Sequence, residues 1–201
     1  MHRDSGFVLV DHPQPHVALV TLNRPERMNS MAFDVMVPLK EVLAELTYDN
    51  SVRVVVLTGA GRGFSSGADH KSAGSVPHVA GLTRPTYGLR SMELLDDVIL
   101  AMRKLHQPVI AAVNGAAIGG GLCLALAADI RVAAGDAYFR AAGINNGLTA
   151  SELGLSYLLP RAIGASRAFE IMLTGRDVDA EEAERIGLVS RQVPAEDLLP
   201  T

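Results

Sequence analysis

The sequence holds a single cysteine, Cys123, which excludes an internal disulfide. It has little charge of either sign to spare. A formal net charge of −4, with Lys, Arg, Asp and Glu mixed along the whole length, leaves no basic stripe to track a phosphate backbone, so nucleic acid is not expected as a partner. The start, Met1-His2-Arg3-Asp4, lacks the apolar run of a signal peptide, and the expected location is the cytoplasm. No Gly-Lys-Ser/Thr occurs, which removes the phosphate-binding P-loop. The nearest approach to a dinucleotide fingerprint, Gly59-Ala60-Gly61-Arg62-Gly63-Phe64, has Phe64 where the last glycine belongs and no helical pattern opening after it. One uncharged stretch, residues 107–128, is long enough to span a bilayer. Pro108, Asn114-Gly115 and Gly119-Gly120-Gly121 break it into a short strand, a turn and a helix start, so no membrane is expected.

What remains is an ordinary globular composition: 201 residues, 48% of them hydrophobic, enough for one domain with a real core. Residues 7–10 and 17–22 read as a hairpin-like pair around Pro13 and Pro15. The polar loop 23–30 ends in the N-cap residues Asn29 and Ser30 ahead of a helical pattern over 31–48, with Pro38 inside it. The β-branched run 52–58 reads as a strand buried on both faces, which favours a parallel sheet covered by helices. A long loop reaches about Pro85, followed by a helix over 91–106, a strand over 109–113, a helix over 122–128 and a strand over 130–134. The last third reads as helices over 153–159, closed by Pro160, then 166–173 and 179–186, the last capped by Asp179. Alternating strands and helices make the class α/β.

Chemistry is most plausible where strands end in glycine-bearing turns, since open α/β sheets place ligands there. Two such turns occur, Gly67-Ala68-Asp69 and Gly119-Gly120-Gly121. Each can aim a backbone N–H at one point between them, and the second directly precedes a helix, whose dipole favours developing negative charge. Two donors on one carbonyl oxygen stabilise an enolate or oxyanion. The same glycines would equally serve tight packing, and the residues alone leave both readings open.

Motifs along nearly the whole chain resemble the enoyl-CoA hydratase/isomerase, or crotonase, superfamily. They are the segment Asn23-Arg24-Pro25-Glu26-Arg27-Met28-Asn29-Ser30, the run from Leu57-Thr58-Gly59 to Phe64-Ser65-Ser66-Gly67-Ala68-Asp69, and Pro108 to Gly121 with Asn114-Gly115. Ala128-Asp129-Ile130-Arg131, Leu158-Leu159-Pro160-Arg161 and Gly187-Leu188-Val189 add to the likeness. The resemblance implies a spiral ββα core over residues 1–190 that binds acyl-CoA thioesters, polarising the thioester carbonyl in an oxyanion hole made by the amides of Ala68 and Gly120. It also implies assembly as a trimer or dimer of trimers, and a role in fatty-acid or related acyl-CoA metabolism. A CoA-binding stretch is expected through Asp69, His70 and Lys71, with Arg24 and Arg27 as possible partners of the phosphates. Coenzyme A enters as part of the substrate; no other cofactor and no metal is expected. Residues 191–201 are expected to begin a helical C-terminal part that continues beyond the sequence.

The acid/base groups depart from the pattern. Hydratases of the family carry one glutamate at the position of Cys123 and another at the position of Gly143. Hydration needs a group to activate water and deliver a proton, so isomerisation or another enolate reaction is favoured. Cys123 is either a thiolate, in the first turn of a helix, or a small buried apolar residue. Some isomerases of the family use an acidic residue at the position of Ser151, next to Glu152, which makes Glu152 the candidate base; its other reading is a carboxylate at a helix start. His70 reads as a solvated loop side chain, as facing CoA or, as the less favoured reading, as catalytic, and Arg140 as meeting a phosphate or a neighbouring subunit. The alternative function is a catalytically silent acyl-CoA-binding protein.

Overall fold

A computed structural model describes residues 6–149 and 152–200, and the fold is built by a repeated walk between two sheets. β1 (Val8–Asp11) and β2 (Val17–Leu22) form the antiparallel pair, and α1 (Phe33–Thr47) follows. Then β3 (Val54–Gly59) lies in the larger sheet, β4 (Gly63–Ser65) in the smaller, and α2 (Arg84–Lys104) returns the chain. The next round repeats this with β5 (Val109–Val113), β6 (Ala116–Ile118) and α3 (Gly120–Ala127), and a third begins with β7 (Ile130–Ala134) and β8 (Tyr138–Arg140). After them come α4 (Leu155–Ile163), α5 (Ala165–Thr174), β9 (Asp177–Asp179), α6 (Ala180–Arg185) and β10 (Arg191–Val193). The larger sheet runs β1-β2-β3-β5-β7-β10 and the smaller β4-β6-β8-β9. All pairings are parallel except β1 with β2 and β8 with β9. The fold is thus the expected α/β spiral of ββα units.

Burial explains the helices. In α1 the residues Val35, Met36, Leu39, Val42, Leu43 and Leu46 are buried at helical spacing, forming one apolar stripe. α3 is buried on every side from Gly121 to Ala127, as a helix apolar all round must be. It belongs to the uncharged stretch that is long enough for a membrane span; that stretch is instead β5, a turn, β6 and α3. No helix among the described residues is long and apolar enough to cross a membrane.

Four details differ from expectation. The N-cap of α1 is Ala32 and makes no side-chain cap bond, because Asn29 and Ser30 bond elsewhere. α2 begins at Arg84 rather than near Ser91; residues 84–90 are all exposed, so no apolar repeat marks them. Pro160 lies within α4 instead of closing it: one helical bond is lost, while Leu155, Leu159 and Ile163 keep one face buried until Gly164. The short strands β4, β6, β8, β9 and β10 carry no periodicity to detect.

Candidate active site

β4 and β6 are neighbouring parallel strands, with Gly63 opposite Ala116 and Ser65 opposite Ala117. The turns that follow them must therefore leave the smaller sheet side by side. Gly67 turns the first at φ +80 and Gly119 the second at φ +53, both in the region that favours glycine. How closely they abut shows at Gly67, where an added Cβ would lie 2.5 Å from the Ile118 carbonyl oxygen and 3.1 Å from the Gly120 nitrogen. A Cβ on Gly121 would run into the Ser65 carbonyl. Tight packing is therefore one demand these glycines meet.

The same geometry leaves two amides uncommitted. Met31 donates to the Gly67 carbonyl at 2.7 Å and accepts from the Asp69 N–H at 3.4 Å, so the bridge takes the groups flanking Ala68 and not the Ala68 N–H. In the second turn Gly119 donates to the Arg140 carbonyl at 2.8 Å and accepts from Cys123 at 3.1 Å. Gly120 opens α3, and the first amides of a helix have no carbonyl one turn back to take them. Ala68 and Gly120 both line one cavity of about 400 Å³. Glu152 lines the same cavity from the short 3-10 turn Glu152–Gly154, whose Leu153 is buried in a left-handed conformation at φ +53. Ser151 and its neighbour Ala150 fall outside the described residues.

Glu152 is the one carboxylate among the described residues that line this cavity, which also takes in Cys123 and Gly143. Its Oε1 accepts from the Thr149 hydroxyl at 3.1 Å, and its carbonyl accepts from the Cys123 thiol at 3.6 Å. Burial, and then the Glu152 charge, push the Cys123 thiol up to about 12. Any lowering by the helix start is outweighed, so Cys123 is the small buried residue and not a thiolate.

Beside the cavity lies a second hollow of about 290 Å³ that shares Ser66, Ala68 and His70 with it and adds Arg27 and Lys71. His70 and Lys71 are exposed. Asp69 anchors this edge. Burial opposes its charge, but the Ser72 and Lys71 amides at 2.8 and 2.9 Å, the Ser30 hydroxyl at 3.0 Å and the Arg27 guanidinium hold its carboxyl well below the usual carboxylate range. Arg24 adds a 2.9 Å ion pair. A carboxylate so committed fixes the turn after Ala68 and has no proton to give. Arg140 is held by Asp177 in a two-point pair at 2.5 and 2.7 Å and does not line the cavity.

Residues 13–201 match the family model described as enoyl-CoA hydratase/isomerase. The chain belongs to this family. It is 87% identical over 194 residues to "Probable enoyl-CoA hydratase echA12" of Mycobacterium bovis, an alignment covering 96% of this chain and 68% of that protein. The crystal structure of a protein described as a "probable enoyl-CoA hydratase/isomerase from Mycobacterium abscessus" superposes with a TM-score of 0.91 at 73% identity, covering 96% of this chain and 72% of the other. A monofunctional enoyl-CoA isomerase from M. smegmatis superposes with a TM-score of 0.81 at 72% identity, covering 97% and 80%. As an enoyl-CoA hydratase/isomerase family enzyme, the chain is expected to act on acyl-CoA thioesters; which reaction it runs is not decided by the family.

Sequence reasoning missed the residues that hold the family's two turns in place. Asn29 is fully buried, accepts from the Arg24 amide at 2.8 Å and donates to the Ala60 and Gly63 carbonyls at 2.9 and 2.7 Å. Ser65 donates to the Asn29 carbonyl at 2.8 Å. Asn114 accepts from the Gly59 amide at 3.1 Å and donates to the Gly61 carbonyl at 2.9 Å. The signal lay in their type: buried Asn and Ser must find partners, and loop backbone supplies them.

Proposed function

We propose that this enzyme isomerises 3-enoyl-CoA thioesters to 2-enoyl-CoA through an enolate. The substrate carbonyl oxygen accepts from the Ala68 and Gly120 amides. The Glu152 carboxylate removes a proton from C2; the electron pair of that bond delocalises through C1 onto the carbonyl oxygen and across the C3–C4 double bond. Glu152, now protonated, returns the proton at C4, leaving a double bond between C2 and C3. No atom is gained or lost and no cofactor is needed. Negative charge develops on the oxygen, where preorganised donors are worth most. Coenzyme A would lie outward along the second hollow, its phosphates near Arg27 and Lys71, past Asp69 and His70.

The observation that carries this reading is the lone carboxylate: among the described lining residues the cavity offers Glu152 as its one acid/base of that kind. A proton moved from C2 to C4 needs one base, whereas hydration needs a water held and activated while a second proton is delivered. Cys123 and Gly143 supply neither. The likeness to a protein described as a monofunctional enoyl-CoA isomerase agrees with it.

Turnover of 3-enoyl-CoA, read by absorbance of the conjugated product, should exceed hydration of crotonyl-CoA by at least about a hundredfold. Glu152→Gln should remove isomerisation and spare acyl-CoA binding. Comparable crotonyl-CoA hydration would overturn the assignment. Binding with no turnover of any enoyl- or 3-hydroxyacyl-CoA would establish instead the silent acyl-CoA-binding protein.

A further inference from the structure

One residue touches both turns of the site. Met31, just ahead of α1, bridges Ala68 in parallel register: its N–H donates to the Gly67 carbonyl at 2.7 Å and its carbonyl accepts from the Asp69 N–H at 3.4 Å. Its side chain reaches the other turn. A Cβ placed on Gly120 would run into the Met31 sulfur and lie 3.4 Å from the Met31 methyl carbon, with Leu153 Cδ1 at 3.1 Å. The sulfur therefore stands where a side chain at position 120 would stand. Met31 is buried and lines the cavity together with Ala68 and Gly120.

Gly120 depends on such a support. The Gly119–Gly120 peptide is fixed at its carbonyl end, where Gly119 accepts from the Cys123 amide at 3.1 Å. Its N–H end opens α3 with no carbonyl one turn back, and glycine has no side chain of its own to lock it. What sets the tilt of that N–H is the packing on the Gly120 Cα, and the side chains packed there are Met31 and Leu153. A flexible thioether can settle directly on a bare Cα. Resting on the reading of Ala68 and Gly120 as the amides that bind the thioester carbonyl, we infer that Met31 is the positioning residue of the pair. Its main chain fixes the Ala68 donor, its thioether fixes the Gly120 donor, and the spacing of the two donors is set through its side chain.

The two roles separate by substitution, because truncating the side chain spares the main-chain bonds. The test is the infrared carbonyl stretch of bound hexanoyl-CoA, isotope-labelled at the thioester carbonyl, measured beside kcat for 3-enoyl-CoA and the Kd of the saturated thioester. Two amide donors should lower the stretch when the thioester binds the wild type. Met31→Ala should lose about half of that lowering, one donor of two, and at least about tenfold in kcat, while Kd changes by less than about fivefold. Met31→Leu keeps the volume and puts a carbon in place of the sulfur, so it should retain both. Gly120 lies outside the left-handed region, so alanine suits its backbone, yet Gly120→Ala should fall as far as Met31→Ala because its methyl meets the sulfur. Combining the two substitutions puts a methyl where the sulfur stood, and the double variant should recover the carbonyl shift and at least about tenfold in kcat over Gly120→Ala alone. If Met31→Ala does not fold, Met31→Val, which stops short of the sulfur position, carries the same expectation. An undiminished carbonyl shift in the folded truncated variant, or a double variant no better than Gly120→Ala, would each overturn the inference. If the carbonyl responds as expected while no 3-enoyl-CoA is turned over, the positioning role stands and isomerisation falls; if binding to the wild type does not lower the stretch, the reading of the two amides falls and the inference with it.

Discussion

Gly67→Ala changes one methyl group and removes no polar atom, yet it strikes the place where the two turns meet. Gly67 sits at φ +80, and the new Cβ would lie 2.5 Å from the Ile118 carbonyl oxygen and 3.1 Å from the Gly120 nitrogen. The left-handed conformation costs an L-residue about 1–2 kcal/mol. The contact with Ile118 is with backbone, so it is relieved only by moving one turn away from the other. That separates the Ala68 and Gly120 amides. Should one of them leave hydrogen-bond reach of the oxyanion, the barrier rises by about 2.7–4 kcal/mol, or a hundred- to a thousandfold in kcat. Urea unfolding should show a stability loss of about 1–3 kcal/mol, and steady-state isomerisation should show the larger loss in kcat. Acyl-CoA binding, which draws on the whole cavity and outer hollow, should weaken far less. A folded Gly67→Ala enzyme with kcat within about threefold of wild type would refute the reasoning, because a change smaller than one lost donor would mean that the packing of these turns does not set the amides.

Asp69→Asn should destabilise the fold by about 3 kcal/mol at neutral pH, since it removes the charge that Arg24 and Arg27 share and leaves the buried Arg24 only the longer pair with Glu26 at 3.8 Å. The Asp69 carboxyl is depressed in the folded protein, so the wild-type advantage is full above the unfolded carboxylate value of about 4 and is lost only as pH falls further through the folded value. Urea midpoints of both proteins from pH 7 to pH 3 check this, and an advantage that shrinks between pH 7 and pH 5 would contradict it. Cys123, its thiol pushed up to about 12 behind a surface only 2% exposed, should resist iodoacetamide at pH 8 until the protein is unfolded. Rapid labelling of the native protein, followed by mass spectrometry, would show the thiol to be ionised or open.

The elements that could be seen in the sequence are those whose own residues repeat. β2, β3, β5 and β7 announce themselves as apolar runs, and α6 through the Asp179 cap, whose side chain accepts from the Glu182 amide at 2.8 Å. β4 and β6, which place the site, are three residues each and too short to alternate. Glycine turns could be found, but not that an extra strand carries each one into a second sheet. Asn29 and Ser30 misled for a physical reason: their local signal is that of an N-cap, while Gly63 and Asp69, more than thirty residues away in sequence, take up the side chains. The position of Glu152 was equally beyond reading, because a loop's register is set by what it packs on; here Leu153 at φ +53 lies against Gly120.

Hydrogen exchange at the α-carbon separates proton abstraction from everything that follows it. Incubating the enzyme with a saturated acyl-CoA in deuterated buffer and weighing the thioester by mass spectrometry reads enolate formation alone, with no double bond to move. The wild type should incorporate deuterium at C2, Glu152→Gln should lose that incorporation, and Gly67→Ala should slow it by about the hundred- to thousandfold expected for one lost donor. Exchange that persists undiminished in Glu152→Gln would show that another group takes the proton and that Glu152 is not the base.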